Sequence, residues 1–302
     1  RGFVPSGYSC HYPTSDHDLT SVSQTYWYRL AHDLMSDARI ERNISFSGTA
    51  VARTTDPAYA SQAWYGNDFC ARFIAQGGVG QPDIVLIHGG TNDYAHNVDP
   101  LAPGIPIQSA EAPSEAALAE LFAAADAAAT RAEIEALDDT TFCTAYIKLL
   151  RLLKERYPDV KIVCIIGDYL STGIERSTLA IARHYGARCV DLYAVNGFND
   201  QTYMPKHDYN PATGKGCHPS SEAMKFIADK IYAELGSWLE EGRTRPYECK
   251  GGGVRSPDGP PLSVSRTANE RGAPESAPRI VGRRDRKSTR LNSSHVSESR
   301  MP

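Results

Sequence analysis

Three short polar segments of the chain carry residue types that can do chemistry on a carbonyl group. Gly48, within Ser47-Gly48-Thr49, can offer a bare backbone N–H, and Asn92, within Gly90-Thr91-Asn92-Asp93, can offer a side-chain amide. His218, just ahead of Pro219, can as a neutral imidazole take a proton from a serine hydroxyl and return it to a leaving alcohol. Acyl transfer builds negative charge on the carbonyl oxygen, and donors fixed around that oxygen beforehand lower the barrier by roughly 3–4 kcal/mol each. Taken singly, Gly48 reads as a turn glycine, Asn92 as an Asx-turn or capping side chain, and His218 as a surface loop histidine. Asp93 is expected to order its own turn. His88, Asp93 and His96 lie close in sequence but lack a ligand spacing such as HExxH, so no metal or other cofactor is expected. Trp64, Tyr65 and Phe69 are either core aromatics or a pocket wall, with core the expected role.

These segments need elements to position them. Ser21 and Gln24 form a capping box, and Val22, Tyr26, Trp27, Leu30 and Leu34 follow at helical spacing, predicting a helix to about Met35. Ile40 to Phe46 reads as a short strand, and Asp83 to Ile87 as a continuous apolar strand running into the Gly-Gly-Thr-Asn-Asp segment. An Ala-rich helix is predicted over Ser114 to Leu137, then an amphipathic helix capped by Asp139 and stopped by Pro158. A strand at Lys161 to Ile166, a helix from about Glu175 to Tyr185 closed by Gly186, a strand at Cys189 to Leu192 and a final helix after His218-Pro219 complete the pattern. Apolar strands alternating with helices predict an α/β fold, a parallel sheet covered on both faces. In such sheets ligands bind beyond the carboxyl ends of the strands, where all three polar segments fall.

Together, Ser-Gly-Thr after one strand, Gly-Gly-Thr-Asn-Asp after the next and a late His-Pro before a helix resemble the SGNH/GDSL hydrolases over residues 1 to about 240. The resemblance implies a three-layer, flavodoxin-like parallel sheet and an ester hydrolase with Gly48 and Asn92 in the oxyanion hole and His218 as catalytic base. The family's nucleophile sits in a GDS motif directly after the first strand. Here the opening Arg1 to Pro13 looks like the segment that follows GDS, so the nucleophile and first strand are expected upstream of Arg1, and the chain as given is expected to be inert. Gly7-Tyr8-Ser9 is a degenerate GDS, but only six residues precede it, with Gly2 and Pro5 among them, so Ser9 is read as a loop serine. Many relatives carry Asp three residues before the histidine, whereas Lys215 stands there here. A backbone carbonyl or Asp208 is left as the partner that orients the ring. The expected partner is a small-molecule ester, acylated carbohydrate included.

Composition bounds the alternatives. Residues 1–242 carry 19 Lys and Arg against 30 Asp and Glu, an acidic body that lacks the basic clustering nucleic-acid binding needs. No apolar run reaches the roughly 20 residues of a membrane span. The seven cysteines include no CxxC pair and form no zinc-site pattern or disulfide framework. From about Arg243 the chain turns rich in Arg, Pro, Gly and Ser with 13 basic and 6 acidic residues, and is expected to be disordered. Asp285 to His295, DRKSTRLNSSH, resembles an in-frame translation of a short-read sequencing adapter, so residues 243–302 are assigned no function. A non-catalytic α/β module binding a carbohydrate at the same crevice is the competing reading. A nucleotide-binding domain is disfavoured, because neither GxGxxG nor GxxxxGK[ST] follows a strand.

Overall fold

In the computed structural model the chain divides into two units, Arg1–Pro246 and Tyr247–Pro302. The structure describes residues 18–35, 38–46, 48–54, 57, 60, 65–75, 80–95, 114–167, 170–195 and 218–241, all in the first unit. The expected tail, Ser9, Ser47, Trp64, His96, Asp208 and Lys215 lie outside them.

Three strands form a parallel sheet in the order β1 (Ile84–Gly89), β2 (Lys161–Ile166), β3 (Arg188–Asp191). Ile84 faces Lys161 and Gly89 faces Ile166, while Val163 faces Arg188 and Ile166 faces Asp191. Side chains alternate between the faces of a strand, so the all-apolar run of β2 requires cover on both. Ile162, Cys164 and Ile166 enter one core with α2 (Phe69–Ala75), α4 (Glu115–Asp126), α5 (Arg131–Glu135), α6 (Phe142–Arg156) and α7 (Thr172–His184). Val163 and Ile165 enter the other with α1 (Tyr26–Arg29) and α8 (Ser221–Glu240). This is the three-layer α/β arrangement expected from the alternation of elements.

Several elements differ from their expected form. The first helix begins with the Ser21/Gln24 capping box but splits into a 3-10 turn at Val22–Gln24, α1, and a π-turn at Leu30–Leu34 closed by Met35 N–H donating to the Leu30 carbonyl. The Ala-rich stretch is two helices, because the Thr130 side chain caps a new one and Glu133 reaches back to the Thr130 N–H. The cap of α6 is Thr141, paired with Thr144, and not Asp139. Ile40 to Phe46 is not a strand, since an extended segment becomes one only when a neighbouring strand takes up its N–H and C=O groups, and the sheet formed by the described residues does not include it. The segment Thr91–Ala95 is a short helix, α3, where a loop was expected.

The orientation of α8 decides what lies at each end of the sheet. Lys161, the first residue of β2, donates its ammonium to the carbonyls of Trp238, Leu239 and Glu241 at the carboxyl end of α8. The helix therefore runs antiparallel to the strands, and its amino end, where His218 lies, is at their carboxyl edge.

The glycines that end β1 permit a close approach there. A Cβ on Gly89 would stand 2.6 Å from Val51 Cγ2 and 2.7 Å from the Phe69 ring, and one on Gly90, at φ +108°, 3.0 Å from Ile174 Cγ2. Gly89→Ala is accordingly expected to lower unfolding free energy by about 1–3 kcal/mol, the usual effect of overpacking a filled core. A denaturant midpoint unchanged from wild type would show that Val51 and Phe69 can yield.

Candidate active site

The loop from Gly48 to Arg53 and the start of α3 are stitched together side by side. Asn92 Nδ2 donates to the Thr49 carbonyl at 2.9 Å. Asp93 is fully buried, and its carboxylate accepts from two consecutive amides, Val51 N–H at 2.8 Å and Ala52 N–H at 2.9 Å. Gly48 has φ +81°, a left-handed conformation that glycine adopts without strain, and the Thr49 hydroxyl donates to the Phe46 carbonyl at 3.0 Å. Gly48 and Asn92, 44 positions apart in sequence, are thus neighbours through Thr49. An amide carries two N–H donors, so the bond to Thr49 fixes the plane of the Asn92 amide and with it the direction of the second N–H.

A second carboxylate anchors the far end of the same loop. Arg53 N–H donates to the Asp139 carbonyl at 2.6 Å, and Arg53 Nε to Asp139 Oδ1 at 2.7 Å. Lys148, buried in α6, bonds Asp139 Oδ2 at 2.8 Å and the Leu137 carbonyl at 2.9 Å. Asp139, expected as a helix cap, instead joins α6 to the loop. Asp93, expected to order its own turn, accepts from its own backbone N–H and also holds residues 51 and 52. No periodicity or spacing relates residues 42 or 86 positions apart, so neither role could be read from the sequence.

His218 is 8% exposed and immediately precedes Pro219 and the N-cap Ser220, whose hydroxyl accepts from Ala223 N–H at 3.1 Å. The Asp18 carboxylate accepts from Ser221 N–H at 3.0 and 3.1 Å, and Arg29 donates to the Ser221 hydroxyl at 3.4 Å. Asp18 lies 203 residues from its partner and was not singled out by the sequence. Because β1 leads into Asn92 and α8 runs antiparallel to the strands, His218 and Asn92 stand at the same edge of the sheet. His88 packs edge-on against Tyr26 with ring centroids 5.6 Å apart. A Cβ on Gly167 would come within 3.3 Å of His88 Nε2 and 3.6 Å of Thr91 Oγ1. Phe69 packs into the core as expected. Among the described residues no group of three or more His, Cys, Asp or Glu could hold a metal, and no helix is long and apolar enough to cross a membrane.

Burial raises the Asp93 carboxyl to about 6, with the Asp68 charge adding to the rise and the Val51 and Ala52 amides opposing it. The folded state therefore binds this proton more tightly than the unfolded chain. The associated stabilisation is present below the unfolded value near 4 and is lost as pH rises through 6.

The carboxyl edge of this parallel α/β sheet thus carries the Gly48–Arg53 loop, Asn92 and the segment of His218. The GDSL-like lipase/acylhydrolase family matches residues 1–100, about a third of the chain. The cellulase/esterase CelE of Acetivibrio thermocellus is 29% identical over 101 residues, 32% of this chain and 12% of that protein, so the chain spans about an eighth of that relative. Solved structures described as GDSL-like lipases from Bacteroides ovatus and Bacteroides uniformis are each 26% identical. They cover 75% and 76% of this chain and 84% of theirs, both with a TM-score of 0.48. A family two carbohydrate esterase from Clostridium thermocellum, in complex with cellohexaose, is 18% identical over 72% of this chain and 55% of that one, with a TM-score of 0.41.

Asp93→Asn is expected to remove the Asp93 contribution to the pH dependence of stability. The difference in unfolding free energy between wild type and variant should change between pH 4 and 7 by an amount on the order of 3 kcal/mol, wild type gaining as pH falls. Parallel pH profiles from chemical denaturation would place the Asp93 carboxyl at its ordinary value.

Proposed function

We propose that this chain forms the active site of a serine ester hydrolase, with His218 as base and the Gly48 N–H and Asn92 amide as oxyanion donors. A serine hydroxyl gives its proton to the His218 ring as it attacks the ester carbonyl. The carbonyl oxygen then becomes an anion between the two donors, the alcohol leaves with the proton from His218, and water repeats the cycle on the acyl-enzyme. The reaction uses side-chain and backbone groups throughout. The observation that supports the reading is the 2.9 Å bond from Asn92 to the carbonyl of Thr49, the residue next to Gly48, which restrains the amide whose second N–H would serve as the donor. The family match over residues 1–100 supports ester hydrolysis. The likeness to a cellulase/esterase supports an acylated carbohydrate as the ester.

Since the family resemblance puts the nucleophile in a GDS segment after a first strand, the test joins such a segment ahead of residue 1. That protein is expected to hydrolyse short-chain p-nitrophenyl esters, and His218→Ala to remove nearly all of the turnover. A His218→Ala protein retaining most activity would refute the role of the base. Asn92→Ala is expected to lower kcat about 10²-fold with little change in KM, because the donor matters most once the oxygen carries charge. An effect confined to KM would make Asn92 a ground-state contact.

A further inference from the structure

We infer that Asp93 is the positioning residue of the oxyanion hole, its carboxylate fixing the loop that presents the Gly48 N–H and orients the Asn92 amide. The inference rests on the hydrolase reading above and assigns to Asp93 a part in it that touches no substrate.

Four features of the structure carry it. Both carboxylate oxygens are engaged, each by a different amide, so the carboxylate fixes the direction of two successive peptide planes as well as their distance. Those amides, Val51 and Ala52, begin three residues after Gly48, within one short loop. Asp93 follows Asn92 in the first turn of α3, so the donor side chain and the anchoring side chain share one stretch of backbone. Any shift of that backbone moves both together, which keeps the two sides of the hole in register. Finally, Asp93, Val51 and Ala52 are at most 1% exposed, so these bonds are not exchanged for bonds to water. Removing the acceptor would leave two buried N–H groups unpaired, and the loop would have to move to satisfy them.

The Asp139 anchor at Arg53 confines that movement. With Arg53 held by Asp139, slack created by loss of Asp93 is passed toward Thr49 and Gly48, where the Asn92 bond to the Thr49 carbonyl bears it. The displacement therefore falls next to Gly48, where donor alignment is set. Misalignment by a fraction of an ångström weakens a hydrogen bond to a developing anion far more than it weakens binding of the neutral ester. The expected signature is a fall in kcat with KM nearly unchanged.

Two measurements test the inference. In the wild-type 302-residue chain, the Val51 and Ala52 amide proton resonances should follow one common titration as Asp93 is protonated. In Asp93→Asn, amide hydrogen exchange across residues 48–53 should quicken at least tenfold while exchange in α6 stays at the wild-type rate. Resonances that do not titrate, or exchange at wild-type rates in the variant, would overturn the anchoring role. In the GDS-joined protein, Asp93→Asn should lower kcat at least tenfold with KM within twofold of wild type. Asp126→Asn serves as a control, since that carboxylate bonds His184 and Tyr185 on α7 and the segment just after it. It should affect melting alone and leave kcat unchanged. Wild-type turnover combined with an unchanged kcat in Asp93→Asn would overturn the inference and leave the hydrolase reading intact. Absence of turnover in the wild-type joined protein would defeat the hydrolase reading itself, and the oxyanion role with it, while the exchange result would still decide whether Asp93 holds the loop.

Discussion

A carboxylate taken wholly out of water is unstable unless hydrogen bonds replace its hydration, and Asp93 meets that condition through backbone amides of a loop far away in sequence. The compensation is incomplete, which is why its carboxyl sits well above the usual range. That residual penalty works as a constraint. Any conformation in which residues 51 and 52 turn away leaves a bare buried charge, so the loop has one low-energy position. Gly89 and Gly90 serve the same end by letting Val51, Phe69 and Ile174 close over the end of β1. The carboxyl edge of the sheet is therefore fixed by polar geometry above and by tight packing below.

Local signals in the sequence proved accurate where the physics is local. β2 coincides with its expected bounds at Lys161 and Ile166, because an unbroken apolar run between charged or turn residues has few alternatives. The Ser21/Gln24 capping box is present because both partners lie within one turn. Errors arose where a residue could satisfy either a neighbour or a distant partner. Asp139 stands two residues from the true cap, Thr141, and is taken by Arg53 and Lys148. The break after Asp126 was hidden by the Ala-rich composition, although Thr130 and Glu133 have the spacing of a capping box. Ile40 to Phe46 has strand composition, but pairing depends on a neighbour and not on the segment itself.

The candidate site shows the same division. Gly48, Asn92 and His218 were singled out by residue type, Asn92 also by its place after an apolar strand and His218 by its place before a helix. The groups that tie down the segments around them, Asp93, Asp139 and Asp18, were not, because each reaches that segment across 41 or more residues of sequence. Residue type announces what a side chain can do to a substrate. It says little about which amide, elsewhere in the chain, a carboxylate will hold.

At the opposite edge, Trp238 near the end of α8 is flanked by two cations. The Arg188 guanidinium lies 4.4 Å and the Lys161 ammonium 5.6 Å from the ring centroid, and these are the first residues of β3 and β2. One aromatic ring thus closes the last helix onto two strands at the amino edge of the sheet. Because this clasp shares no residue with the loops of the carboxyl edge, a change in those loops leaves the fastening of α8 to the strands as it is.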